Sequence, residues 1–199
     1  CPPPLTAFGE CESQIHTITV TRTEEECGED TDSVTVWFAT NIAGPYEQIR
    51  TFGYDEFDAA NQFSFERAFF EGNTFAGCYV TTATDTLGNE SEFSDPACVN
   101  FCPRLIMANV FSPNDDGIND VFIPVVYQDV VLRDFQVFDR WGRKFHTETG
   151  NLQQLWNGQV DGTNNMAREG VYYYYIRYEE LDLSGNRTVE KRGWVMLVR

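Results

Sequence analysis

The chain has no apolar run long enough to cross a bilayer as a helix, which excludes a transmembrane helix. It has no basic-then-apolar opening, so no signal peptide is visible, and it begins at Cys1 without an initiator Met. We read it as a mature fragment, the C-terminal end of something longer. Histidine is scarce. His16 and His146 are the only two, and they fall in different halves of the chain. No nucleophile elbow or activated thiol accompanies them, so nucleophilic catalysis has no footing, and we expect no enzyme. Positive charge is nearly missing from the first half. Residues 1–103 hold three basic and 18 acidic side chains, whereas residues 104–199 hold 11 and 13. Like-charge repulsion argues against nucleic acid and anionic membrane as partners of the first half. The plain reading of the acidic excess is solubility in an extracellular setting. No amphipathic helical pattern is found.

What is present points to strands. Aromatics make up 15% of the chain, with 16 Phe and nine Tyr, and such bulk favours strands over helices. A length of 199 residues suits one large or two small domains, and 42% hydrophobic residues suffice for real cores. The charge step places a boundary near Cys102-Pro103. The expected fold is all-β: two tandem antiparallel β-sandwiches of Ig-like or fibronectin III-like form, residues 1–103 and 104–199.

All six cysteines lie in the first half. An even count in so short a span reads as disulfides and an oxidising compartment, the periplasm or exterior. Six cysteines allow 15 pairings. We expect Cys11–Cys27 and Cys78–Cys98 as local staples and Cys1–Cys102 tying the module's ends. Zinc is the rival reading, but there is no C-x-x-C pair and His16 stands alone.

Along the first half, Cys1-Pro2-Pro3-Pro4 is a stiff lead-in. Residues 15–20 and 33–38 alternate as strands, separated by an acidic turn from Glu24 to Asp32. Phe63, Phe65 and Phe69 repeat with a period of two. Residues 79–85 form another strand and lead into Leu87-Gly88-Asn89-Glu90-Ser91, with Ser94 three residues on. That order of Tyr, Ala, Gly and Ser is similar to the F strand, FG turn and start of G in a fibronectin type III domain. The Trp which that family carries on its B strand is missing; Trp37 sits on the next strand. An Ig-like relative fits equally well.

The second half is expected to open at Leu105-Ile106-Met107. Strands follow at 121–124 and 132–138, and a hairpin pairs 171–183 with 188–198 around Ser184-Gly185-Asn186. Tyr172, Tyr174, Ile176 and Tyr178 share one face, and Val171, Tyr173 and Tyr175 the other. Such a strand is central in its sheet, or its second face meets a partner. Five segments recur in order: Asn109-Val-Phe-Ser-Pro-Asn-Asp-Asp-Gly-Ile-Asn-Asp-Val-Phe122, then Phe138-Asp139-Arg140-Trp141-Gly142, Trp156-Asn157-Gly158, Gly170-Val171-Tyr172-Tyr173-Tyr174 and Gly193-Trp194-Val195-Met196-Leu197-Val198-Arg199. Together they resemble the gliding-motility-associated C-terminal domain, the type B sorting domain of the type IX secretion system. Asp115 stands where that family usually has Gly.

The resemblance implies a folded sorting signal of a larger secreted or cell-surface protein. It implies export via the periplasm through the type IX translocon, with recognition by a PorP/SprF-like outer-membrane barrel. The first module would be a spacer. The expected recognition residues are Ser112, Pro113, Asn114, Asp116, Gly117, Asn119, Asp120, Arg140, Trp141, Gly142, Trp156, Gly170, Tyr172, Tyr174, Gly193, Val198 and Arg199.

Each candidate has a plainer alternative. Residues 114–120 put five oxygen-bearing side chains into seven positions, and Asp115, Asp116, Asn119 and Asp120 would suit calcium. The alternative is a turn capped by its own side chains, with no cofactor. Trp141 is a docking knob flanked by cations, or it covers one end of the core with Arg stacked on it. Trp156 anchors a tight turn at Asn157-Gly158. The Tyr-rich strand stacks on sugar rings, or it fills a core. A carbohydrate- or protein-binding adhesin tip would need exposed aromatics in the first half, and Trp37, Tyr46, Phe52 and Tyr54 are the candidates. Asn89-Glu90-Ser91 and Asn186-Arg187-Thr188 match the N-glycosylation sequon. Asp32-Ser33-Val34 and Asp85-Thr86-Leu87 are similar to bacterial O-glycosylation sites.

Overall fold

Alternating side chains set the two layers of the first unit. The structure, a computed structural model, describes residues 2–22, 30–69, 74–163 and 165–199. The chain divides into two compact units, Cys1–Phe101 and Cys102–Arg199. Cys102 thus counts with the second unit.

In the first unit, strands β1 (Leu5–Glu10), β2 (Ile15–Thr21) and β5 (Gln62–Ala68) form one antiparallel sheet in the order β1-β2-β5. Strands β3 (Thr31–Ala39), β4 (Glu47–Gly53), β6 (Gly77–Asp85) and β7 (Ala97–Val99) form a second, in the order β4-β3-β6-β7. The period of two holds: His16, Ile18 and Val20 of β2 are buried, as are Val34, Val36 and Phe38 of β3. Aromatic contacts join the sheets. Phe52 of β4 stacks on Phe63 of β5 with centroids 3.9 Å apart, and His16 of β2 meets Tyr79 of β6. The result is an antiparallel β-sandwich. The expected Cys78–Cys98 disulfide joins directly opposed residues of β6 and β7. Cys11 and Cys102 are also disulfide-bonded. The partners expected for them, Cys27 and Cys1, lie outside the described residues, as does most of the acidic turn at 24–32.

In the second unit, β8 (Arg104–Met107) pairs with β10 (Pro124–Gln128). A five-stranded sheet has the order β12-β11-β13-β14-β9. Its strands are β9 (Val110–Phe111), β11 (Val130–Phe138), β12 (Lys144–Glu148), β13 (Gly170–Glu180) and β14 (Arg187–Leu197). All neighbours are antiparallel except β9, which runs parallel to β14. Phe111, Phe122, Phe135, Leu155, Trp156, Ile176, Tyr178 and Leu197 form the fully buried centre. One expectation is corrected. Residues 121–123 are no strand: Phe122 makes a single bridge to Trp156, and pairing begins only at Pro124. The carboxylate of Asp120 bends the chain just before this point. Apart from the 3-10 turn Tyr54–Glu56, the described residues hold no helix, and none long and apolar enough to cross a membrane.

Candidate functional site

The loop from Ser112 to Asp120 is folded around one carboxylate. Asp120 Oδ1 accepts from the backbone N–H groups of Asn114 (3.0 Å) and Asp115 (2.7 Å), and Oδ2 from Gly117 (2.8 Å). Asp116 Oδ1 accepts from Ile118 N–H at 2.7 Å, and Asn114 Oδ1 from Asp116 N–H at 3.2 Å. Ser112 N–H donates to the Asn119 carbonyl at 2.8 Å and closes the loop. Burial works to raise the pKa of Asp120, but the hydrogen bonds from Gly117, Asp115 and Asn114 outweigh it and hold the carboxyl below its usual range. Asp115, Gly117 and Asn119 are left-handed, with φ of 62°, 85° and 57°. Asp115 therefore occupies, at the position where the resembling family has Gly, a conformation that Gly adopts freely and Asp tolerates. Much of the oxygen set considered for calcium is engaged by backbone donors. Among the described residues no three His, Cys, Asp or Glu side chains converge as metal ligands.

The β11–β12 turn is also capped by an acid. Buried Asp139 accepts from Trp141 N–H (3.0 Å) and Arg143 N–H (2.9 Å) through Oδ1, and from Arg143 Nε (3.2 Å) through Oδ2. Gly142 supplies the left-handed φ of 80°. Trp141 does not cover the core. It is 76% exposed, and the Arg140 guanidinium lies over its ring at 4.2 Å. The capped turn lifts the indole away from the sheet, which sequence pattern alone does not reveal.

Trp156 behaves as expected of an anchor. It is buried, its indole N–H donates to the Gln159 carbonyl at 2.8 Å, and its ring lies 5.2 Å from Phe111 and 4.9 Å from Tyr172. Gly158, with φ of 82°, packs closely against Pro113 and Leu197: a Cβ there would come within 3.0 Å and 3.3 Å of them. The Asn157-Gly158 turn thus ties the 112–120 loop to the last strand. The terminus is held at two points. Val198 N–H donates to the Phe111 carbonyl (3.1 Å), and Arg199 donates to the Ala167 carbonyl (2.8 Å).

From Gly170 onward the terminal hairpin presents two different faces. Tyr172, Tyr174, Ile176 and Tyr178 face inward, with Gly193 and Val195 opposite Tyr174 and Tyr172. The outward row is open. Val110, Val171, Tyr173, Trp194 and Met196 are between 44% and 51% exposed and adjoin one another through the pairs Val110–Met196, Met196–Val171 and Trp194–Tyr173. β13 is therefore central in its sheet and has an uncovered aromatic face as well. Of the expected recognition residues, Asn114, Asp116, Asn119, Arg140, Trp141 and Arg199 are exposed, whereas Trp156 and Tyr172 are buried and shape the fold. Trp194 and Met196 were missed as surface residues. Their alternation with Val195 and Leu197 was the available signal.

Among the described residues, no nucleophile–histidine–carboxylate set comes together. His146 Nδ1 lies 2.6 Å from Asp161 Oδ1, but the nearby Thr163 hydroxyl donates to the Val160 carbonyl, and among the described residues no hydroxyl meets the His146 ring. In the first unit, the four aromatics considered for a binding face are not one surface. Phe52 is buried, Trp37 and Tyr46 meet through Phe93, and Tyr54 packs with Phe57 and Arg22.

Residues 105–197 match the family model of the CHU_C type IX secretion signal domain. The second unit is a type IX secretion signal domain. A signal domain of this kind marks secreted or cell-surface proteins and implies interaction with the type IX secretion machinery. It is a non-catalytic kind of domain. Comparison with curated proteins finds no match. Among solved structures, the chain is similar to an Fn3-like protein from Clostridium thermocellum at 21% identity, covering 49% of this chain and 86% of that one, with a TM-score of 0.35. A tetra-tandem repeat in the extending region of a large adhesion protein shares 13% identity over 98% of this chain and 49% of that one, at 0.47. Dimeric latent PorU from Porphyromonas gingivalis shares 12% over 100% of this chain and 20% of that one, at 0.27. The chain spans about half the length of the second and a fifth of the third, and at these scores none bears on function.

Proposed function

We propose that the signal domain is read as a folded surface by a PorP/SprF-like outer-membrane barrel, with the first unit acting as a spacer between it and a cargo. One observation carries this reading. The motif residues build rigid, side-chain-capped turns on a closed core, and one of those turns projects Trp141 and Arg140 into solvent. Trp and Arg are the residues most often dominant in binding interfaces, and an exposed pair held by a rigid turn loses little entropy on contact.

The test is export. The whole chain is fused behind a reporter carrying its own inner-membrane export signal, in cells with and without a working type IX system. Release should require the system, and deletion of the barrel should leave the fusion in the periplasm. Trp141→Ala should fold normally and reduce release. Equal release from both strains would sink the reading.

A further inference from the structure

β14 is paired along its whole length on one side only. β13 matches it from Arg187 to Leu197 with no shift of register. On the other side, β9 covers just Met196 and Leu197. The N–H groups of Met196 and Val198 point to that second side, donating to the carbonyls of Asn109 (2.9 Å) and Phe111 (3.1 Å). Backbone groups alternate along a strand, so the N–H and C=O of Thr188, Glu190, Arg192 and Trp194 face the same way. Among the described residues, none of these four has a backbone partner there, and all four are exposed.

We propose that this open edge of β14 is read together with the Trp141 turn, by addition of an extended acidic strand from the recognition protein. The proposal rests on the sorting-signal reading and names its chemistry. An added strand completes four residues' worth of free donors and acceptors, and such main-chain pairing supplies affinity while alternate side chains supply specificity.

The side chains choose the partner's charge. Arg133, Arg143 and Arg187 are ion-paired within the domain. Lys191 and Arg192, on the open edge, have no carboxylate within ion-pair distance among the described residues. A second copy paired so that Glu190 meets Arg192 would still bring Lys191 opposite its own counterpart, and like charges on an edge strand oppose self-association. A strand with carboxylates opposite Lys191 and Arg192 gains what a like strand loses. Beyond Arg192, Trp194 lies beside Tyr173 on the open outer face, so an apolar residue two positions along the incoming strand meets an aromatic pair.

Proline provides a selective block. At position 192 the missing N–H belongs to the open side, so Arg192→Pro removes no bond to β13; proline is tolerated on edge strands in this orientation. The full chain is expressed with an export signal in type IX-competent cells, and extracellular and periplasmic amounts are compared alongside the melting of the purified protein. Arg192→Pro should melt near the unmodified chain yet appear outside cells at least tenfold less. The double variant Lys191→Glu, Arg192→Glu leaves the backbone intact and should fall in the same direction, so it decides the matter if proline disturbs folding. Wild-type export of either folded variant overturns the proposal. Failure of the underlying sorting reading looks different: the unmodified chain would then leave cells lacking the translocon just as well.

Discussion

Tyr174 and Gly193 face each other across the terminal hairpin, and the Tyr174 ring fills the space that a side chain at position 193 would need. The glycine is there for close approach, since its φ is not in the left-handed region. Tyr174 in turn packs against Phe122 and Phe135, with centroids 5.5 Å and 6.1 Å away, so the ring cannot retreat inward.

Gly193→Ala should therefore overpack this point and destabilise the signal domain by about 1–3 kcal/mol. Urea denaturation measures it. The same substitution combined with Tyr174→Ala should be less harmful than the two losses added, because the clash is gone. An unchanged midpoint in the single variant would show that the ring moves aside freely.

His16 makes the first unit sensitive to acid. Its ring is fully buried among Phe69, Phe75 and Tyr79, with Nδ1 2.7 Å from the Tyr79 hydroxyl and Nε2 without a partner. Burial, aided by the positive charge of Arg67, lowers its pKa from 6.5 to about 4. The unfolded chain therefore binds a proton between pH 6.5 and about 4 that the folded chain refuses. Stability should be full above pH 6.5 and fall as pH drops through that window, by about 3 kcal/mol in total. His16→Gln should flatten the dependence, whatever it does to stability at pH 7. Chemical denaturation at pH 7 and pH 4.5 compares the two.

The 112–120 loop should depend on the ionised Asp120. Its depressed pKa means that the loop is held above the usual carboxylate range and loosens as pH falls through the folded value. Asp120→Ala should produce the same loosening at neutral pH, seen as faster amide exchange at Asn114, Asp115 and Gly117, whose N–H groups it accepts. With those oxygens engaged, titration of the wild-type chain with calcium should give no saturable heat. A saturable signal lost in Asp120→Ala would instead assign the loop to the metal.

The readable parts were those that local chemistry enforces. Burying one face of a strand demands a period of two, and His16-Ile18-Val20 and Tyr172–Tyr178 follow it. Capped turns at Asp85, Asp120 and Asp139 need Asx residues and glycine at fixed offsets, and these stand out in a sequence. What stayed hidden depends on distant residues. β9 pairs with β14 across 86 positions, and only that pairing defines which part of β14 remains open. Trp141 and Trp156 sit in similar aromatic-glycine contexts. One is exposed and the other buried because the turn after β11 projects beyond the sheet, while Trp156 is drawn in by its bridge to Phe122.

Trp156 gives the sharpest test of whether the motif residues are scaffolding. The indole touches Phe111 of β9 and Tyr172 of β13 and closes its own turn at Gln159, while the Trp156 backbone carbonyl accepts from Phe122 N–H. Trp156→Ala removes the ring contacts and the bond to Gln159, keeps the backbone bridge, and leaves a cavity at the centre of the core, which should destabilise the signal domain by about 3–5 kcal/mol. Trp156→Phe keeps most of the ring contacts and loses the bond to the Gln159 carbonyl, so it should cost about 1 kcal/mol plus a smaller packing term. The His16–Tyr79 core of the first unit shares no residue with this cluster, so its acid transition should be the same in both variants. Calorimetry with the full chain separates these effects. If Trp156→Ala left the melting of the signal domain unchanged, the shape of this turn would have to be held by something other than its tryptophan.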